Sequence, residues 1–211
     1  LHDRVLALYE REPHTLRRIL GEEPFDMENI LRHWVFNRTD GMSEEDVRLR
    51  QYVKALACGR EDEWETLDIR CIPTDSAFVM QKSGEKMPLS FAGMDMLLKS
   101  DLLILQLLVN GDEARPLYLT TSMNIDERPY LKPHLVLEGL LYHIVPSDTT
   151  EIETCVNVER LYENIMENFS YGGLSAGNVS ADYDVRKMAY GHQHKMATLI
   201  DTLLEQGDNE R

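Results

Sequence analysis

The sequence is poor in cysteine, and it lacks any long apolar run or a basic surface. Its three cysteines, Cys58, Cys71 and Cys155, form no Cys-x-x-Cys pair, and their odd number leaves at least one thiol free in a monomer. The longest nearly apolar stretch, Leu102 to Val109, is broken by Gln106. A membrane-spanning helix needs about 20 apolar residues, so no segment here is expected to cross a bilayer. With 37 acidic against 22 basic side chains the formal net charge is −15. A surface of that sign repels phosphate backbones and anionic lipid, which excludes nucleic acid as a partner and direct membrane insertion as a mode of binding. Residue 1 is Leu, and no basic segment leading into an apolar one opens the chain, so the natural sequence is expected to extend upstream.

The chain has what a folded domain requires. Its 211 residues, 43% hydrophobic and 28% charged, are enough to bury a core without staples. Residues 1–62 read as a helical segment. Asp26 is placed to cap a helix carrying Met27, Ile30, Leu31, Trp34 and Val35 at helical spacing, with Asn37 to Gly41 as its stop. Ser43-Glu-Glu-Asp46 resembles a capping box ahead of Val47, Tyr52, Val53 and Leu56.

Residues 63–211 read as an α+β domain with C-terminal helices, forming one compact unit with the N-terminal segment. Leu67 to Ile72 alternates like a half-buried strand, and Ala77 to Met80 and Met87 to Phe91 are strand candidates about a Lys82-Ser-Gly-Glu85 turn. Ser100-Asp101 starts a helix whose residues Leu102 to Val109 are apolar all round, which predicts burial on every side. Leu117 to Thr121 reads as a strand. Pro133 fits a short helix terminated by Gly139, and Leu140 to Val145 as a strand beyond it. Val158 to Phe169 is an amphipathic helix stopped at Gly172-Gly173. Asp184 to Glu205 keeps Val185, Met188, His192, Met196, Leu199 and Leu203 in helical register for over five turns. The expected architecture is a small mixed sheet around a buried central helix, with N-terminal helices before it and a long C-terminal helix after it.

Catalytic patterns are missing. No Gly-x-Ser-x-Gly elbow, Ser-x-x-Lys, His-Glu-x-x-His, phosphate-binding loop or Gly-x-Gly-x-x-Gly occurs, so no catalytic residue, metal ligand or cofactor is assigned. His192-Gln-His194 fails as a metal pair, because helix residues two apart point about 200° away from each other. His192 reads instead as a satisfied core histidine, and His134 and His143 read as isolated. Asn37, Asn168 and Asn178 head N-glycosylation triplets, and Asp75-Ser-Ala77, Asp148-Thr-Thr150 and Asp201-Thr-Leu203 fit a short O-glycosylation pattern. Such triplets arise often by chance. The most suggestive polar constellation is Asn110 beside Arg115-Pro116: a buried guanidinium there would hold a carboxylate or phosphate, although pairing with a neighbouring acid or the helix end is the commoner role. Asp182 is placed to cap the last helix and Arg186 to bridge its first turn.

Four motifs carry a resemblance. They are Asn110 with Arg115-Pro116 and Tyr118; Leu137-Glu-Gly-Leu140 with Tyr142 and Val145-Pro146; Leu161 to Met166 leading to Tyr171-Gly-Gly173; and Val179 through Arg186, Met188 and Tyr190. In that order they resemble the soluble C-terminal domain of a bacterial multi-pass membrane protein family of unknown function that is itself similar to protein O-mannosyltransferases. The likeness covers about residues 65 to 206, and Glu113 and Tyr171 stand where the family places Trp.

The resemblance implies an extracytoplasmic, periplasmic accessory domain whose catalytic partner is the membrane-embedded part of the same polypeptide, with a protein or glycan acceptor as a further partner. It marks Asn110, Arg115, Tyr118, Tyr142, Asp182 and Arg186 as binding candidates. A protein-interaction module unrelated to sugars is the alternative, and a free-standing hydrolase the third reading.

Overall fold

In the computed structural model the described residues are 2–23, 26–65, 68–72, 77–82, 85–94, 96–111, 115–147, 155–173 and 180–207. Leu67, the Ser83-Gly84 turn, Asp112, Glu113, the Asp75 and Asp148 triplets, Asn178 and the tail beyond residue 207 lie outside them. The chain divides into two compact units, Leu1–Glu113 with Pro146–Thr150, and Ala114–Val145 with Glu151–Arg211. Residue 62, where the sequence pattern changes, lies within the first. The architecture is α+β, with a small mixed sheet and a long C-terminal helix.

The first unit opens with α1 (His2–Arg11) and α2 (Pro13–Leu20). The Tyr9 hydroxyl of α1 donates to the Gly21 carbonyl at 3.2 Å, at the end of α2. Gly21 has φ 91, and a Cβ there would meet the Asn29 side chain at 2.5 Å, so only glycine fits. Helix α3 (Met27–Asn29) starts as expected, the Asp26 carboxylate accepting from the Asn29 N–H at 3.1 Å, and continues as a π-helical turn, Ile30–Val35. Met27, Ile30, Leu31, Trp34 and Val35 are all buried. Helix α4 (Glu44–Cys58) is capped by Ser43, whose hydroxyl accepts from the Asp46 N–H at 3.1 Å, and ends at the left-handed Gly59.

Some expectations need correction. Residues 68–72 have no ladder partner among the described residues; the segment is held by side chains instead. The strands β1 (Ala77–Lys82) and β2 (Glu85–Ser90) do form an antiparallel hairpin. Helix α5 (Lys99–Asn110) runs where expected, with the Asp101 carboxylate accepting from the Leu98 N–H at 2.8 Å. It is not buried on every side, however: Leu105 and Leu108 are buried while Leu103 and Leu107 are 61% and 58% exposed. An all-leucine pattern shows that a helix has apolar faces to spare, not that each face has a partner.

The second unit holds a four-stranded sheet in the order β3-β5-β4-β6. Its strands are β3 (Tyr118–Thr120), β4 (Leu135–Leu137), β5 (Leu141–Ile144) and β6 (Cys155–Val156). Strand β5 pairs antiparallel with both β3 and β4, and β4 pairs parallel with β6. Pro133 sits in a 3-10 turn, Lys132–His134, which leads straight into β4. Gly139 therefore does not close a helix; it makes the turn of the β4–β5 hairpin. Helix α6 (Val158–Glu163), capped by Asn157, continues as a π-helical turn, Asn164–Asn168, and α7 (Tyr183–Gln206) is capped by Asp182. Leu137, Leu161, Ile165, Leu199 and Leu203 form the core, with Tyr142, Phe169 and Met196 packed against it.

Candidate functional site

The β3–β5 register decides which side chains meet on the sheet. Tyr118 lies directly opposite His143, and Leu119 opposite Tyr142. Because successive residues of a strand face opposite sides, Tyr118 and His143 share one face and Tyr142 takes the other. The two rings on the first face stack, with centroids 4.7 Å apart and planes 19° from parallel. Both reach the same carboxylate: the Tyr118 hydroxyl donates to Glu138 Oε2 at 3.2 Å, and His143 Nδ1 lies 3.2 Å from Glu138 Oε1.

Glu138 is held there by its own backbone. It opens the β4–β5 turn, where Gly139 has φ 148 and a Cβ would come within 3.1 Å of the Phe169 ring. The Asn164 side chain donates to the Glu138 carbonyl and fixes the turn to the helix below. Tyr118 is nevertheless 43% exposed. Its pKa is raised, first by partial burial and then by the Glu138 charge, so the phenol stays protonated at neutral pH and acts as a hydrogen-bond donor rather than a nucleophile. The result is an open aromatic face edged by a fixed carboxylate, suited to binding a hydroxyl-bearing or amide-bearing ligand.

On the opposite face Tyr142 meets Lys195 of α7, whose Nζ lies 5.4 Å from the ring centroid. Lys195 is buried, and burial lowers its pKa. The cation over the ring recovers part of its lost hydration. Lys195 shares a helix stripe with Leu199 and Leu203, four and eight residues on, and that spacing was a readable signal of its burial.

The remaining candidates do not join this cluster. Asn110 donates its side-chain amide to the Gln106 carbonyl at 2.9 Å, closing the end of its own helix. Arg115 is exposed rather than buried. Asp182 Oδ1 accepts the Val185 N–H at 2.9 Å, and Arg186 Nε donates to the Asp182 carbonyl at 3.3 Å, so both build the start of α7. His192 is half-buried, edge-on to Phe169 and Tyr171 with centroids 5.3 Å away from each, but its Nδ1 has no hydrogen-bond partner among the described residues. It is therefore not the satisfied core histidine the sequence suggested. Met188 on the same stripe is exposed. His134 is buried, and His143 is not isolated but central to the face.

A second polar cluster lies within the first unit. Arg50 and Lys54, one turn apart on α4, are both fully buried. The π-helical turn after α3 explains them. The Phe36 N–H bonds to the Leu31 carbonyl at 2.8 Å and the Arg38 N–H to the Arg32 carbonyl at 3.0 Å, so the carbonyls of His33 and Trp34 are left without helical partners. Lys54 Nζ donates to the Trp34 carbonyl at 2.9 Å and the His33 carbonyl at 3.5 Å, and also to the Asn37 side chain. Arg50 donates to the carbonyls of Arg38 at 2.7 Å and Asn37 at 3.1 Å. Two cations thus close the negative end of a helix. Burial brings Lys54 down to about 8 and His33, which also faces Arg50, to about 4.

Among the described residues no three His, Cys, Asp or Glu side chains converge as a metal site requires, and no helix is long and apolar enough to cross a membrane. Compared with known proteins, residues 65–161 match the family model of TMEM260-associated domain 2. That span includes Asn110, Arg115, Tyr118, Glu138, Tyr142 and His143 and ends before Asp182 and Arg186. No curated protein and no solved structure matches the chain. The aromatic face thus lies wholly within a stretch similar to a TMEM260-type domain.

Proposed function

We propose that the chain is an extracytoplasmic accessory domain of a glycosyltransferase-like integral membrane protein, non-catalytic by itself, which positions an acceptor through the Tyr118–Glu138–His143 face. The observation that carries the reading is the match over residues 65–161 to a TMEM260-associated domain, with the stacked pair of exposed Tyr118 and half-buried His143 inside it. Charge favours an acceptor over a donor: at a formal −15 the chain repels a lipid-linked phosphosugar, whereas a neutral sugar or hydroxyl-bearing peptide can stack on the rings and donate to Glu138. The membrane-embedded part of the same polypeptide would supply the chemistry. Incubating the purified chain with a polyprenyl-phosphate-linked sugar and serine- or threonine-containing peptides tests this. No transfer and no release of free sugar is expected; turnover by the chain alone would overturn the proposal.

A protein-interaction module is the second reading. It is favoured by Tyr183, Met188 and Tyr190, which are 70% exposed or more on the first half of α7. If Met188→Glu and Tyr190→Glu abolished partner capture while removal of glycans left it intact, this second reading would replace the first.

A further inference from the structure

The second half of α4 and the segment 68–72 are joined side by side at two points. Gln51 Nε2 donates to Asp68 Oδ1 at 3.2 Å, and two turns along the helix Cys58 Sγ lies 2.9 Å from Cys71 Sγ. Asn37 and Arg70 also bond to the Asp68 carboxylate, so Asp68 is fixed independently of the sulfurs. The left-handed Gly59 turns the chain immediately after Cys58. Both thiols are half-buried, whereas Cys155 is exposed.

From this geometry we infer that Cys58 and Cys71 are the site of an intramolecular disulfide that clamps segment 68–72 to the end of α4. The two sulfurs are already in contact, and a bond near 2.05 Å requires only a small further approach. A thiol–thiol hydrogen bond is too weak to hold the segment by itself. The step balances with a disulfide oxidant of the glutathione or thiol–disulfide oxidoreductase class. The Cys58 thiol gives its proton to solvent, and its sulfur attacks the oxidant disulfide, forming a mixed disulfide and releasing one thiol. The Cys71 thiol then loses its proton and its sulfur attacks that of Cys58, releasing the second thiol. The oxidant takes up the two electrons and two protons that the cysteines lose. Cys58 is suited to attack first: its pKa is lowered, chiefly by the hydrogen bond with Cys71 and also by Lys54 and Arg60, while that of Cys71 is raised by Cys58 and by burial. The clamp goes beyond the accessory role and does not depend on it, although an extracytoplasmic setting would favour its formation.

The test is to equilibrate the folded chain with oxidised glutathione, unfold it without reductant in the presence of iodoacetamide, and map the cysteines by mass spectrometry. A peptide pair linked through Cys58 and Cys71, with Cys155 alkylated, is the expected result, and the Cys155→Ser variant should give the same link. Reduction should then lower the melting midpoint of the wild-type chain and of Cys155→Ser but leave that of Cys71→Ser unmoved. Three alkylated cysteines, or a link through Cys155, would overturn the inference whether or not the acceptor-binding proposal stands.

Discussion

Two buried lysines, one in each unit, are accommodated in different ways. In the first unit, Arg50 and Lys54 are wholly enclosed and find their partners among backbone carbonyls at the end of a widened helix. In the second, Arg128 likewise donates to a backbone carbonyl, that of Asn124 at 3.4 Å, but Lys195 rests on the Tyr142 ring beside a leucine-rich core. The difference shows what each cation is for. Carbonyls freed by a π-helical turn are costly to bury unpaired, so the first unit needs donors at those places, whereas the second would lose little if its lysine were apolar.

The comparison can be broken in several ways. The largest loss is expected from Leu161→Ala, which removes a fully buried side chain from the second core; about 3 kcal/mol should vanish from its urea unfolding free energy. Next comes Arg50→Met, which leaves the carbonyls of Asn37 and Arg38 without this donor and should cost about 2 kcal/mol by the same measurement. A loss below about 0.5 kcal/mol, the range of ordinary surface changes, would mean the buried cation does not hold that segment.

The pH dependence is smaller, and its two clearest parts lie in the first unit. His33 has a pKa near 4 in the folded chain against a reference of 6.5, so between those values the unfolded chain binds more protons and stability falls as the pH is lowered through the window. Lys54, near 8 against 10.5, follows the same rule: its proton is held less tightly when folded, so stability rises as the pH climbs from 8 towards 10.5. Thermal melts across both ranges should show these slopes, with His33→Gln flattening the acid limb and Lys54→Met the alkaline one. Lys195→Met is expected to cost no more than about 1 kcal/mol, the scale of a partly desolvated cation–π contact. Smallest of all is Tyr118→Phe, within about 0.5 kcal/mol because the lost bond to Glu138 is at the surface; calorimetric melts would resolve it from zero or not.

What the sequence disclosed was local. The caps at Asp26, Ser43 and Asp182 could be read because each bond spans three residues. The β1–β2 hairpin and the long last helix followed from spacing alone. The errors arose where a distant partner decides the outcome. Leu103 and Leu107 look like core residues until no neighbour covers them. Alternation over 68–72 mimics a strand, but no strand among the described residues pairs with it, and Asp68 and Cys71 are taken up by α4. Tyr118 and Tyr142 were legible through their motifs, whereas Glu138 and His143 became partners of Tyr118 only through the β3–β5 register and the Gly139 turn.

On the proposed reading, sugar transfer by a membrane glycosyltransferase containing this chain, compared with that of its Tyr118→Ala, His143→Ala double variant, tests the account most directly. Transfer to the acceptor should fall at least tenfold, equivalent to about 1.4 kcal/mol, while breakdown of the lipid-linked donor by water continues at its ordinary rate. Undiminished transfer with both rings removed would contradict the account.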